Sequence, residues 1–278
     1  MEKVRVSVVI PFFSNIEWLF EAIDSVLKQS YYVDEIIVVN DGSKEDLSRL
    51  DLEYGSRVTV FNQPNQGAAS ARNNGIKKAT GQYIFFLDSD DVWDSTKVEK
   101  QLNYMLDNGF SWSCTYYDTF GSGKKKTIKQ KLFKGLCWKK LYNTCSIQTS
   151  TVAVKKEVLE KTSFNETMKY GEDIFLWFKI ANHYPLGVLK EALVHYRLRG
   201  SNAHLQIGCH IESRHELYSC MTSGAIFSSK RFLTSCGYKL CSTSYKMFVR
   251  NKKKAGFFSK LCFLIAWLLF RVDNFIQR

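Results

Sequence analysis

Residues 83 to 91 read Tyr-Ile-Phe-Phe-Leu-Asp-Ser-Asp-Asp, an apolar run that stops abruptly in a polar, acidic turn. A short apolar run rich in aromatic and β-branched residues, bounded by turn formers, marks a strand buried on both faces. Two upstream segments have the same make-up. Val4 to Ile10 runs into Pro11-Phe12-Phe13-Ser14-Asn15, and Glu35 to Val39 runs into Asn40-Asp41-Gly42-Ser43. Between these, Asn15 to Gln29 carries Leu19, Ile23, Val26 and Leu27 at helical spacing, Arg57 to Phe61 reads as another strand, and Gly67 to Ala79 as a small-residue helix. Strands alternating with helices predict an α/β fold: a Rossmann-like, mostly parallel sheet flanked by helices, with right-handed crossovers. Ligands of such sheets bind beyond the carboxyl ends of the strands. All three polar clusters fall there, so they are expected to converge on one crevice.

Further along, the glycine- and lysine-rich stretch Gly121 to Lys134 reads as a surface loop. Ser150 to Val154 is a strand candidate, Asp173 to Ala181 a helix, and Val188 to Val194 a short strand that would close the domain. No internal repeat is visible. At 278 residues and 45% hydrophobic, the chain can bury a full α/β core with length left for an appendage.

The formal charge of +12 is unevenly placed. From Arg197 to Arg278 there are 14 Lys/Arg against 3 Asp/Glu, and Lys124 to Lys140 holds eight lysines and no acid. Such basicity suits an anionic surface, either nucleic acid or the acidic inner leaflet of a membrane. Lys252-Lys253-Lys254 precedes an apolar segment, 255–271, with an unbroken run from Leu261 to Phe270. That is shorter than the ~20 apolar residues a spanning helix needs. It fits a helix lying in the membrane interface, anchored by cations and Trp267, with a core-packing or dimer helix as the alternative. The eight cysteines include no C-x-x-C pair and read as reduced thiols. The first apolar run meets Pro11 and a helix rather than a cleavage site, so a cytoplasmic protein is expected.

Carboxylates alternating at a strand end, as in Asp88-Ser89-Asp90, can put one oxygen on a hard divalent cation while the other orients a neighbouring hydroxyl. Such a cation can bridge diphosphate oxygens. Asp41 could accept from the N3–H of a uracil ring, or it could serve as a turn or cap aspartate. Arg72 lies in a helix that begins Gly67-Ala68-Ala69-Ser70-Ala71, whose small residues would let a nucleotide approach; as a surface arginine it would need no ligand. Tyr170-Gly171-Glu172-Asp173 precedes an aromatic helix, where both acids also suit the positive N-terminus.

Taken together, the segments VSVVIPFFS, EIIVVNDGS, NQGAASARNNG, GQYIFFLDSDD, YGEDIFLW and HYRLRGSN resemble, in order and spacing, the family-two inverting glycosyltransferases of the GT-A fold. The likeness spans roughly residues 4 to 204. It implies that Pro11, Phe12 and Asp41 surround a uracil, with Arg72 near the base and Asp88 and Ser89 near the ribose. Asp90 would hold Mn²⁺ or Mg²⁺ against the donor diphosphate. Of the acidic pair Glu172 and Asp173, the second would be the general base. Arg197, Ser201 and Asn202 would clamp the diphosphate. Two departures stand out. Phe13-Ser14 replaces a common Tyr-Asn, and Arg199 replaces a histidine; His204 is either a substitute for that histidine or, the simpler reading, an ordinary loop histidine.

The resemblance divides the chain into a glycosyltransferase catalytic domain at 1–205, with nucleotide-sugar binding in 1–95 and acceptor binding in 96–205, and a basic helical region at 206–278. It implies transfer of a hexose or N-acetylhexosamine from a UDP-sugar to a glycan acceptor, and the basic, apolar tail joined to such a donor site suits an anionic, membrane-embedded polyprenyl diphosphate as the acceptor's carrier at the inner membrane surface, in polysaccharide or O-antigen assembly. Nucleotidyl transfer is the alternative, though a glycine-rich phosphate loop is missing. A nucleic-acid-binding protein is a third reading, and it gives no reason for acids at the strand ends, so no nucleic acid is expected as partner.

Overall fold

Short apolar runs buried on both faces suit strands in the middle of a sheet covered on each side, and the N-terminal half is built that way. The computed structural model describes residues 4–122, 125–129 and 147–199, together with 213, 215, 216, 261, 264, 265 and 268. The chain divides into two compact units, one comprising Met1–Cys137, Ser146–Glu166 and Ile180–Arg199, the other Trp138–Cys145, Thr167–Lys179 and Gly200–Arg278.

In the first unit the described elements run β1 (Val6–Phe12), α1 (Ile16–Leu27), β2 (Glu35–Asp41), α2 (Ser48–Tyr54), β3 (Val58–Gln63), α3 (Ala68–Lys78), β4 (Tyr83–Phe86), β5 (Val92–Trp93), α4 (Lys97–Asn108), β6 (Trp112–Gly121), β7 (Thr127–Ile128), β8 (Val152–Lys155), α5 (Lys156–Lys161) and, after α6, β9 (Gly187–Leu198). The helix α6 (Glu172–Ala181) starts in the second unit.

The sheet runs β3-β2-β1-β4-β8-β6-β9-β5, with β7 beside β6. The β3-β2-β1-β4 half is parallel, as the alternation of strands and helices requires. Beyond β4 the expectation of a mostly parallel sheet is corrected: β8 is antiparallel to both β4 and β6, and β5 is antiparallel to β9, so the sheet is mixed. The closing strand, expected over Val188 to Val194, is a 12-residue strand. Part of the expected surface loop after Gly121 pairs as Thr127–Ile128 against Tyr117 and Asp118.

Helices cover both faces. Val6, Val8, Ile10, Ile36, Val38 and Phe85 form a core with Leu19, Ile23 and Val26 of α1 and Val98, Leu102 and Met105 of α4. On the opposite face, α3 packs so closely that a Cβ at Gly75 would overlap the side chain of Val9. Glycine there is a packing requirement of the helix that leads to Arg72. The helix α1 begins at Asn15, whose side chain accepts from the Trp18 N–H at 3.2 Å, while Glu45 accepts from the N–H groups of Asn15 and Ile16. That fixes the path of the chain as it leaves β1.

Candidate active site

The turn after β4 carries the carboxylates, and its geometry is set by a buried network. Asp91 N–H donates to the Asp88 carbonyl at 3.0 Å, closing the turn. The Ser150 hydroxyl, itself fully buried, donates to Asp91 Oδ2 at 2.6 Å and accepts from the Asp88 N–H at 3.0 Å. Asp91 Oδ1 accepts from the Arg197 N–H at 3.0 Å, and Trp93 Nε1 donates to the Ser150 carbonyl at 3.0 Å. One serine therefore ties the acidic turn to the segment that precedes β8, and Asp91 ties it to β9. Burial, and after it Asp90 and Asp88, push the Asp91 carboxyl well above the usual carboxylate range.

Each of the three acids has an arginine on or beside it. Arg72 Nη2 donates to Asp88 Oδ1 at 2.7 Å, and its guanidinium lies 5.4 Å from the centre of the Phe164 ring. The salt bridge from Arg199 Nε to Asp90 Oδ2 spans 3.0 Å. The Arg197 Nε donates to the Asp90 carbonyl at 2.8 Å and its Nη2 to Glu21 Oε2 at 2.6 Å, while Phe120 and Trp18 flank the guanidinium at 4.4 and 5.1 Å. Arg197, expected as a diphosphate clamp, is thus also a tie between the acidic turn, α1 and β9. Burial, and then Asp88, raise the Asp90 carboxyl above its ordinary value, with Arg199 and Arg197 opposing.

A partly buried carboxylate held up by a second carboxylate gains from a nearby cation. Magnesium-type ions are commonly bound through one or two carboxylates plus substrate phosphates rather than a protein cage. Asp90, with Asp88 beside it, fits such an ion; among the described residues no group of three or more His, Cys, Asp or Glu side chains forms a cage.

Asp41 ends β2 and is buried. Its Oδ1 accepts from Gln63 Nε2 and Gln66 N–H at 2.8 Å each, and its Oδ2 from Gly67 N–H at 2.9 Å. Asp41 thus shapes the loop before α3, which Gly67 enters with φ +89°, while in its own turn it is Asn40 Oδ1 that accepts from the Ser43 N–H at 2.9 Å. Pro11 and Phe12 lie at the end of the adjacent strand, paired in register with Val39 and Asn40. The neighbouring Phe13 is half exposed. Ser89, partly buried, sits between the two turn carboxylates.

Glu172 and Asp173 open α6 in the second unit, where Asp173 Oδ1 accepts from the Ile174 N–H at 2.7 Å and Phe175 N–H reaches the Gly171 carbonyl at 2.9 Å. Ser201, Asn202 and His204 lie outside the described residues. The structure thus brings together Arg72, Asp88, Asp90 and Arg197 and adds to them Asp91, Ser150, Glu21 and Arg199. Of these additions, Asp91 belongs to the acidic turn read in the sequence and Arg199 stood out there as a departure from a family pattern, whereas Ser150 and Glu21 carried no mark of a site.

A mixed sheet whose parallel half ends in Asp41 and the Asp88–Asp91 turn, with helices on both faces, is an α/β fold of the GT-A type. The sequence matches Glycosyl transferase family 2 over residues 7–163, and the chain belongs to that family. It is 39% identical over 206 residues to an uncharacterized glycosyltransferase of Rickettsia bellii (strain RML369-C), an alignment covering 73% of this chain and 30% of that protein. It is also 34% identical over 185 residues to the UDP-Glc:alpha-D-GlcNAc-diphosphoundecaprenol beta-1,3-glucosyltransferase WfgD of Escherichia coli, covering 65% of this chain and 71% of WfgD. The fold is shared with S. aureus TarS 1-349, solved in complex with UDP-GlcNAc, at a TM-score of 0.68 and 17% identity over 94% of this chain and 79% of that one. The chain spans 30% to 34% of the length of the first three curated relatives it matches.

Proposed function

We propose that this chain is a metal-dependent, inverting glycosyltransferase that moves a sugar from a UDP-sugar to a hydroxyl of a glycan carried on a polyprenyl diphosphate, in polysaccharide assembly. The observation that carries the reading is the Asp88–Asp90 turn at the end of β4, with an arginine on each acid and Asp41 at the end of the strand next but one in the sheet. WfgD, whose name gives UDP-glucose as donor and a diphosphoundecaprenol-linked GlcNAc as acceptor, supports this class of donor and acceptor.

The chemistry follows from charge. Breaking the anomeric C–O bond leaves negative charge on the nucleoside diphosphate, and a Mn²⁺ or Mg²⁺ ion on Asp90 would supply positive charge to it. The chain's own share is to hold that charge in a fixed geometry. Arg197 is set by Glu21, Phe120 and the Asp90 carbonyl, so a diphosphate would meet a cation already in place. Asp88, oriented by Arg72, is available to the ribose hydroxyls, and Asp41, with Pro11 and Phe12, to the uracil. Asp173 is assigned as the base that takes the acceptor proton, so that the acceptor oxygen attacks in one displacement and inverts the anomeric centre. Ser201 and Asn202 complete the diphosphate clamp. In this reading residues 1–205 form the catalytic domain and 206–278 a basic region that meets the membrane surface.

The test is transfer and hydrolysis across UDP-, GDP- and dTDP-sugars with Mn²⁺ and lipid-diphosphate acceptors. One UDP-sugar should be turned over. Asp90→Ala should lose donor binding in the presence of metal, and Asp173→Ala should keep donor binding while transfer falls about 10²-fold or more. Turnover unaffected by both substitutions would rule the assignment out.

A further inference from the structure

The three arginines at the acidic turn differ in how firmly they are held. Arg72 has 6% of its side chain exposed against Asp88, and Arg197 has 13% exposed, clasped between two rings and Glu21. Arg199, directly after the last residue of β9, has 40% exposed while the Asp90 side chain it pairs with has 12%. The Arg199 guanidinium lies 6.0 Å from the Trp18 ring centre, a looser approach than the 5.1 Å of Arg197 to the same ring. Of these three cations, Arg199 is the most exposed to solvent.

A divalent ion on Asp90 Oδ2 and a guanidinium nitrogen 3.0 Å from that oxygen are two positive groups on one acceptor. The oxygen has lone pairs for both, but two positive charges that close repel each other, so the ion binds better once the guanidinium has moved away. A guanidinium displaced from the carboxylate keeps its planar fork, which matches phosphate oxygens as well as it matches a carboxylate.

We propose that Arg199 is the counter-cation of Asp90 in the donor-free site and yields that oxygen to the divalent ion when ion and donor arrive together, moving onto the donor diphosphate. This rests on the reading of Asp90 as the metal ligand. It makes Arg199 the residue that couples the two ligands. The ion alone must compete with a resident cation and binds weakly; with the nucleoside diphosphate present, Arg199 has a second anion to go to and the competition disappears. By linkage, each ligand strengthens the other by the same factor.

The experiment uses the full chain and measures binding alone. Free Mn²⁺ is followed by electron paramagnetic resonance with and without UDP, and UDP by calorimetry with and without Mn²⁺, in wild type, Arg199→Met, Arg199→Lys and Asp90→Asn. Arg199→Met should bind Mn²⁺ alone about fivefold more tightly than wild type, the scale of a partly exposed ion pair, and the factor by which UDP tightens Mn²⁺ should shrink. Arg199→Lys, which keeps the charge without the fork, should bind Mn²⁺ alone nearly as wild type does and show reduced coupling to UDP. If Arg199→Met binds Mn²⁺ no more tightly than wild type while Asp90→Asn loses it, the counter-cation role is wrong and the metal ligand stands. If Asp90→Asn binds Mn²⁺ like wild type, both are wrong.

Discussion

Ser150 carries no charge, yet the acidic turn is organised around its hydroxyl, which receives the Asp88 amide and gives its proton to Asp91. Replacing it with alanine strands a buried carboxylate oxygen and a backbone amide together. Ser150→Ala should lower the unfolding free energy by ~1–3 kcal/mol, read from urea titration. It should also weaken nucleotide binding, because Asp88 loses its anchor. Asp41, Arg72, Asp88 and Asp90 were legible in the sequence because each stands at the end of an apolar strand or the start of a small-residue helix, where position alone implies the crevice. Ser150 and Glu21 were not. They reach the turn and Arg197 across sequence separations of 62 and 176 residues, and nothing local marks them.

At the scale of elements, the parallel half could be read because its strands are apolar throughout and its helices keep a clean stripe. Beyond it β8, α6 and β9 were also expected, whereas β6 and α4 were not, for a physical reason. The strand β6 buries Ser113, Thr115 and Thr119, which masks its apolar pattern, and α4, though it carries Val98, Leu102 and Met105 at helical spacing, also buries Lys97 and Gln101. These residues satisfy one another: Gln101 Nε2 reaches Ser113 Oγ at 2.9 Å and the Thr151 carbonyl at 3.0 Å, and Lys97 Nζ donates to Gln101 Oε1 at 2.7 Å, lying 4.3 and 4.9 Å from the Trp93 and Phe85 ring centres. Burial holds the Lys97 amine well below its usual range. Between that lowered value and the ordinary lysine value, the unfolded chain binds a proton the native site refuses, so Lys97 makes stability rise with pH across this window. Lys97→Met removes that contribution. Its stability relative to wild type should be highest at neutral pH and decline toward pH 10, as urea midpoints at several pH values will show.

For the whole molecule, the uneven charge seen in the sequence meets an exposed apolar stripe in the second unit. Leu261, Leu264, Ile265 and Leu268 are helical and recur on one helix face, with 38%, 50%, 39% and 46% of their surface exposed. Among the described residues no helix is long and apolar enough to cross a membrane. Such a stripe, in a sequence that also carries Lys252, Lys253, Lys254, Lys260 and Arg271, suits an anionic bilayer surface. The full chain should float with vesicles containing anionic phospholipid and be released by salt. Leu264→Glu with Leu268→Glu should reduce that binding about tenfold or more, with UDP binding retained. Equal flotation of the double variant would assign the stripe to another surface.

Asp91 takes its Arg197 amide across a separation of 106 residues, and β5, which follows the acidic turn directly, is paired by Val194 and His195. During synthesis on the ribosome, then, the carboxylates of residues 88 to 91 emerge long before the cations and the amide that neutralise and fix them. Until residue 198 has cleared the exit tunnel the turn holds three mutually repelling acids with Arg72 alone in place among these partners. The parallel half can assemble early from near neighbours, while the chemistry-bearing turn is among the last parts of the first unit to set.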